Sequence, residues 1–197
     1  MIAIAAVVGY LIGSLPTAGW LARAWGVDLR AAGSGNPGAA NALRVAGGGL
    51  AAWVLVTEII KGAGAVSLGV MFDGDWGVVA AGLGAATGNV VNIWYKGGGG
   101  KGLGISSGVT LVAWPVFYPI ALGVVIAAVV LTRSAGKAGV AGLAVYLVGA
   151  SAWVAWSLPR GWGIEHDVPL LVMALGIVII LLPRLWRDAR SQHPATG

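Results

Sequence analysis

The chain has 197 residues, of which 58% are hydrophobic and only 10% charged, against about 25% charged residues in a soluble domain. That composition excludes a soluble globular enzyme: lipid is the matching solvent, and at ~20 residues per crossing the length holds six or seven spans in one bundle with no separate soluble domain. There is no cysteine, so disulfides, thiolate metal sites and a cysteine nucleophile are excluded, and the net charge of +5 is scattered between apolar runs, which fits anionic lipid or an anionic substrate better than nucleic acid.

In chain order, the first apolar run covers 1–20. It has neither a basic leading region nor a small-residue cleavage site, and reads as a retained span. Further runs follow at 50–71, 76–95, 103–113, 116–131, 138–156 and 168–182. The 103–113 run is too short to cross unaided and reads as a half-helix or re-entrant segment. Pro115 and Pro119 mark the turn into the next run. The expected fold is an all-α integral membrane protein with about seven transmembrane or half-membrane helices in one bundle. Residues 1–183 would form the membrane domain and 184–197 a basic cytoplasmic tail.

The basic residues orient this bundle. With the amino terminus outside, Arg23, Arg30, Arg44, Lys96, Lys101, Arg133, Lys137, Arg184, Arg187 and Arg190 all fall on the inner side, and Arg160 alone lies clearly outside. The expectation is amino terminus out and carboxyl terminus in, across the inner (plasma) membrane of a cell.

Glycine contributes 34 residues. Most of those inside spans, such as Gly82 and Gly84, read as close helix contacts. Two clusters read differently, and both fall at inner-side depth. Gly33-Ser34-Gly35-Asn36-Pro37-Gly38, continuing to Asn41 and Arg44, combines glycines that permit positive φ with short polar donors and a bidentate cation. Such a loop holds a phosphate or forms an ordinary interfacial turn into a helix. Lys96-Gly97-Gly98-Gly99-Gly100-Lys101-Gly102 has the composition of a phosphate loop, but its spacing is not that of a Walker A motif, so nucleotide hydrolysis is a poor inference. The alternative there is a flexible basic loop touching anionic headgroups.

Glu58 and Lys61 lie three residues apart inside an apolar run. Each costs about 2.5–3.5 kcal/mol near a bilayer centre, so both should face the bundle interior, as a structural ion pair or around a ligand. His166 lies in an outer loop beside Glu165 and Asp167, and His193 lies in a polar tail. Neither is placed as a catalytic base. The ten tryptophans fit an aromatic belt. No Ser/His/Asp arrangement and no metal-ligand cluster emerges, and no cofactor is indicated.

The chain resembles the bacterial acyl-phosphate:glycerol-3-phosphate acyltransferases of the PlsY type. The resemblance rests on Gly13-Ser14-Leu15-Pro16, on the run from Gly33 to Arg44, on Glu58-Ile59-Ile60-Lys61-Gly62 against that family's Asp-x-x-Lys-Gly, and on Gly99-Gly100-Lys101-Gly102 with Gly108 beyond it. It covers nearly the whole chain. Departures are Gly88-Asn89 in place of Gly-His, Asn92 at a proline, Gly98 at a basic residue, a changed segment from Ser134 to Gly139, and a closing motif with no counterpart in Pro183-Arg184-Leu185-Trp186-Arg187-Asp188.

The resemblance implies transfer of an acyl group from acyl phosphate to the sn-1 hydroxyl of glycerol 3-phosphate, giving lysophosphatidic acid and phosphate in phospholipid synthesis. It implies catalytic roles for Ser34, Arg44 and Lys101. Substrate or phosphate contacts are implied for Gly33, Gly35, Asn36, Gly38, Asn41, Lys61, Lys96, Gly99, Gly100 and Gly102, the amides of both glycine loops included. Acyl phosphate is already activated and its leaving phosphate accepts the hydroxyl proton, so no protein nucleophile or histidine base is needed. The partners are these two substrates and membrane lipid. The alternatives are a non-catalytic paralogue that keeps the phosphate and lipid site, and a small transporter, which the broken glycine-rich segments also fit.

Overall fold

A computed structural model describes residues 1–191. Among them every regular element is helical: α1 (Ile2–Ser14), α2 (Thr17–Ala24), α3 (Ala39–Val90), α4 (Leu103–Ala113), α5 (Tyr118–Thr132), α6 (Ala135–Ala155) and α7 (Asp167–Arg190), with one short 3₁₀ turn at Ile93–Tyr95. Four helical segments among the described residues are long and apolar enough to cross a membrane, as in a multi-pass membrane protein. The first apolar run is divided at Leu15 and Pro16, since Pro16 lacks the N–H a continuous helix needs.

The two runs 50–71 and 76–95 are two helical arms within the span of α3, separated by a non-helical break at Asp73 and Gly74. Within α3 the backbone leaves helical geometry at Gly47 (φ 81°) and again at Asp73 and Gly74, so a short piece before Gly47 leads into an arm at 48–72, which folds back as an arm at 75–90. Small residues let the arms approach. Gly69 and Gly77 face each other across the fold-back, and a Cβ at Gly84 would strike the carbonyl of Ala6 in α1. A Cβ at Gly82 would come within 2.8 Å of the Met173 methyl of α7. Both glycines are contact residues, as the composition predicted.

α4 has 11 residues. At 1.5 Å per residue it reaches about half of a ~30 Å hydrocarbon core. It packs along the 48–72 arm, where Gly62 and Gly108 remove the side chains that would hold the backbones apart. Its C-terminal end is closed by protein. Ile164 donates its N–H to the carbonyl of Ala113 at 2.9 Å, and the Trp114 ring stacks on Phe117 at 4.0 Å with Trp153 edge-on at 5.4 Å. Non-helical backbone at membrane depth is tolerated only under such cover.

α7 differs from the expected domain boundary. It continues through Pro183 to Arg190, so residues 184–190 are helix rather than a detached tail. Pro183 removes one N–H from the helix ladder, a loss tolerated where neighbouring elements re-satisfy the freed group. The consequence is functional, because the last two turns of α7 lie against the glycine loop at 96–102.

Candidate functional site

The loop between α2 and α3 is organised by one side chain. Asn41, buried in the first turn of α3, accepts the N–H of Ser34 at 2.8 Å through Oδ1 and donates through Nδ2 to the carbonyls of Leu29 at 2.9 Å and Ala32 at 3.0 Å. Gly33 (φ 60°) and Gly35 (φ 68°) take the left-handed conformations this requires, and a Cβ at Gly33 would collide with Asn41 itself. The three polar contacts of Asn41 go to this loop, whose shape they set.

The second glycine loop is also stapled, by different means. The N–H groups of Gly97, Gly98, Gly99 and Gly100 donate to the carbonyls of Asn92, Tyr95, Val90 and Asn89 at 2.9–3.2 Å. These four amides are therefore paired within the protein. Arginines from distant elements hold the carbonyls. Arg184 in α7 donates to Gly99 and Gly97, each at 2.6 Å, and Arg30 donates to Gly98 at 2.7 Å while its guanidinium lies 4.5 Å from the Tyr95 ring centroid. Sequence reading placed both arginines on the inner side without giving them a role. Contacts across 68 and 85 or more residues leave no local spacing to read.

The two loops meet at a cleft. Asn36, Gly38 and Ala40 form one wall, Gly100, Lys101, Gly102 and Gly104 the other, and Glu58 and Asn89 lie between them. Leu55, Leu103 and Val129 extend the cleft as an apolar passage, and Leu55 and Val129 remain exposed on the bundle's flank. Both walls are helix N-termini. α3 starts after Gly38 and α4 after Gly102 (φ 84°), and neither cap residue supplies a side chain to the first turn. The leading N–H groups of a helix have no intrahelical acceptor and carry the positive end of its dipole. Two such ends therefore face one cleft, which is an anion-binding geometry.

The remaining expected residues divide. Asn36, Gly38, Gly100, Lys101 and Gly102 line the cleft. Ser34 and Gly35 lie half-buried in the first loop and Gly99 is buried in the second. Arg44 is exposed one helical turn beyond Ala40, on the same face of α3. Lys96 is exposed and is not part of the lining.

Lys61 is buried. Its Nζ lies 2.9 Å from Glu58 Oε1 and 2.9 Å from the carbonyl of Leu15, while Glu58 Oε2 accepts from Asn89 Nδ2 at 2.6 Å. Lys61 thus pairs with Glu58 and ties the arm 48–72 to the end of α1. A smaller polar pocket, lined by Pro16, Glu58, Lys61, Asn89 and Tyr95 among others, shares Glu58 and Asn89 with the cleft.

The opposite end of the bundle is held by Asp75. Its Oδ2 accepts the N–H groups of Glu165 at 3.0 Å and His166 at 2.9 Å and lies 2.8 Å from His166 Nδ1. Arg160 pairs with Asp167 and donates to the carbonyl of Glu165. His166 is accordingly a staple of the far end. His193 lies outside the described residues. Among the described residues there is no cluster of His, Asp and Glu suited to a metal.

A protein called glycerol-3-phosphate acyltransferase from Synechococcus sp. (strain JA-3-3Ab) is 46% identical over 132 residues, 66% of this chain and 64% of that protein. The match therefore spans less than two thirds of that relative's length. A protein of the same name from Synechococcus sp. (strain CC9902) is 41% identical over 161 residues, 77% of this chain and 80% of its own. The crystal structure of PlsY (YgiH), an integral membrane glycerol 3-phosphate acyltransferase, in its glycerol 3-phosphate form, superposes with a TM-score of 0.79 over 95% of this chain and 90% of that one, at 24% identity. That likeness shows a shared fold. The family model described as glycerol-3-phosphate acyltransferase matches residues 3–190, so both glycine loops, the paired helix N-termini and the end of α7 lie within the matched region, and the chain belongs to the glycerol-3-phosphate acyltransferase family.

Proposed function

We propose that this protein transfers the acyl group of acyl phosphate to the sn-1 hydroxyl of glycerol 3-phosphate, releasing lysophosphatidic acid and phosphate. The observation that carries the reading is the cleft itself. Two helix N-termini and Lys101 surround a polar end, and an apolar passage leads from it to the lipid-facing flank. A reaction between two phosphate-bearing molecules, one with a fatty chain, needs that combination. The hydroxyl oxygen attacks the acyl carbon, the bond from that carbon to the phosphate oxygen breaks, and the leaving phosphate takes the hydroxyl proton.

In this mechanism the protein supplies charge and position. The first turns of α3 and α4 would each receive a phosphate, Lys101 and Arg44 would offset the negative charge brought together, and Ser34 and Asn36 would orient the acceptor. The loop shape set by Gly33, Gly35 and Asn41 would present these groups. Gly99, Gly100 and Gly102 would let the second loop lie close to the reacting atoms. The acyl chain would lie along Leu55, Leu103 and Val129, open to lipid.

The glycine loops and the end of α7 gather at one end of the bundle, where Arg30, Arg184 and Lys101 make their contacts. With the excess of basic residues there, we place this end in the cytoplasm, with the amino terminus outside and the protein in the inner membrane. Arg184 and Asp188 bring α7 into the site, which favours a working enzyme over a paralogue that only binds. The test is to incubate purified protein with acyl phosphate and labelled glycerol 3-phosphate. Labelled lysophosphatidic acid and stoichiometric phosphate are expected, and binding without product would replace this reading with the non-catalytic one.

A further inference from the structure

Lys101 is the cation best placed to meet a phosphate, yet it is already paired. Its Nζ lies 2.6 Å from Asp188 Oδ2, with the two side chains 17% and 22% exposed. Asp188 lies one helical turn beyond Arg184, the residue that clamps the carbonyls of Gly97 and Gly99. One face of α7 thus holds both the backbone of the second glycine loop and the charge of its lysine.

The carboxylate of Asp188 is itself closely seated. Gly136, in the first turn of α6, packs against it so tightly that a Cβ there would lie 2.7 Å from Asp188 Oδ2. The side chain is therefore set between Lys101 and the positive end of α6. Ala135, the neighbour of Gly136, lines the cleft, so the ion pair stands at the cleft's edge.

We propose that Asp188 is a standing counter-ion to Lys101 that an incoming phosphate displaces, making it a positioning residue for substrate entry. The inference rests on the acyltransferase reading for its physiological ligand, but not for its test. Between turnovers the pair keeps the lysine extended towards the cleft and its charge balanced. A dianionic phosphate outbids the single carboxylate because it also gains the N–H groups of the α4 first turn. An uncharged acceptor of similar shape does not, and so leaves the pair closed. The binding-competent lysine is only partly populated, so apparent phosphate affinity is lowered by the population of the pair.

The experiment measures inorganic phosphate binding to purified, detergent-solubilised protein by calorimetry, in the unmodified chain, Asp188→Asn, Asp188→Ala, Lys101→Ala and the Lys101→Ala/Asp188→Asn double variant. Releasing the lysine should tighten phosphate binding about three- to tenfold in either single Asp188 variant. In the Lys101→Ala background the Asp188→Asn change should have little effect, because the pair no longer exists. A gain in affinity is a readout that a packing lesion does not produce. Weakened or unchanged phosphate binding in both Asp188 variants, or the same gain with Lys101 absent, overturns the proposal. No phosphate binding in any variant also overturns it. Acyl transfer measured in parallel separates the two ideas: product formed without the affinity gain leaves the reaction standing and removes the counter-ion, and the affinity gain without product does the reverse.

Discussion

The two glycine loops reach the same cleft by opposite means. The first, at 33–38, is held from within: Asn41, seven residues from Ser34, makes all three of its staples. The second, at 96–102, is held largely from outside, with Arg30 and Arg184 on its carbonyls, and the end of the 75–90 arm and the adjoining 3₁₀ turn on its amides. A loop stapled locally keeps its shape as a unit. A loop stapled by other helices keeps its shape only while the bundle is assembled, so its geometry reports on α7.

The largest effect should come from breaking the first loop at its single staple. Asn41→Ala removes three hydrogen bonds and leaves buried backbone groups unpaired, at about 1 kcal/mol each or about 3 kcal/mol in sum. If that whole amount falls on the assembled site, acyl transfer drops roughly a hundredfold. Thermal unfolding in detergent, measured alongside, tells local loop loss from global unfolding. Retained activity would mean that the loop has support beyond Asn41.

Next in size are the cations. Lys101→Ala and Arg44→Ala should each lower acyl transfer about ten- to a hundredfold, the size of one charge-assisted contact of about 1.5–3 kcal/mol. Arg44→Lys should restore only part, since an ammonium lacks the bidentate fork. Arg184→Ala tests the external staple and should fall in the same range, because two carbonyls lose their donor together. Arg30→Ala removes one exposed bond and a stacking contact and should cost less than tenfold. Equal effects of Arg30 and Arg184 would argue against α7 as the principal outside support. Steady-state rates with varied glycerol 3-phosphate check all five.

Much of the fold was legible in the sequence because membrane solvent enforces it: the long apolar runs, the half-length 103–113 segment and the close-contact glycines Gly82 and Gly84 follow from length and composition. So does the inward-facing Glu58–Lys61 pair, since an unpaired charge at that depth is too costly. The breaks were less legible. The fold-back at Asp73 and Gly74 falls in the gap between the 50–71 and 76–95 runs, but the departure at Gly47 depends on which helices pack, and periodicity does not carry that. Pro183 reads locally as a helix end, and only the packed bundle shows α7 passing through it. The cleft residues of the first loop could be picked out since they are contiguous. The identities of the outside staples could not, because Arg30, Arg184 and Asp188 gain meaning only from partners brought close by folding. Nor were the protein partners of Asn41 and Lys61 legible, because the carbonyls of Leu29 and Ala32 and of Leu15 reach them only through folding.

The smallest predicted effect sharpens the comparison with one methyl group placed in each loop. Gly33 and Gly97 both have positive φ, 60° and 84°, so alanine at either pays a similar backbone strain of about 1–2 kcal/mol. Their surroundings differ. A Cβ at Gly33 meets the Asn41 amide and also comes within 2.9 Å of Val45, whereas a Cβ at Gly97 has nothing within 4 Å. Gly33→Ala therefore adds displacement of the internal staple to the strain, and its effect should approach that of Asn41→Ala. Gly97→Ala adds strain only, and Arg184 still holds the Gly97 and Gly99 carbonyls against it. Its cost should appear as a modest loss of thermal stability, with acyl transfer lowered no more than about tenfold. The two single variants measured in one assay decide the matter. If Gly97→Ala proved the more damaging, the second loop would have to move through conformations that only glycine reaches, and the picture of it as a loop pinned from outside would fail.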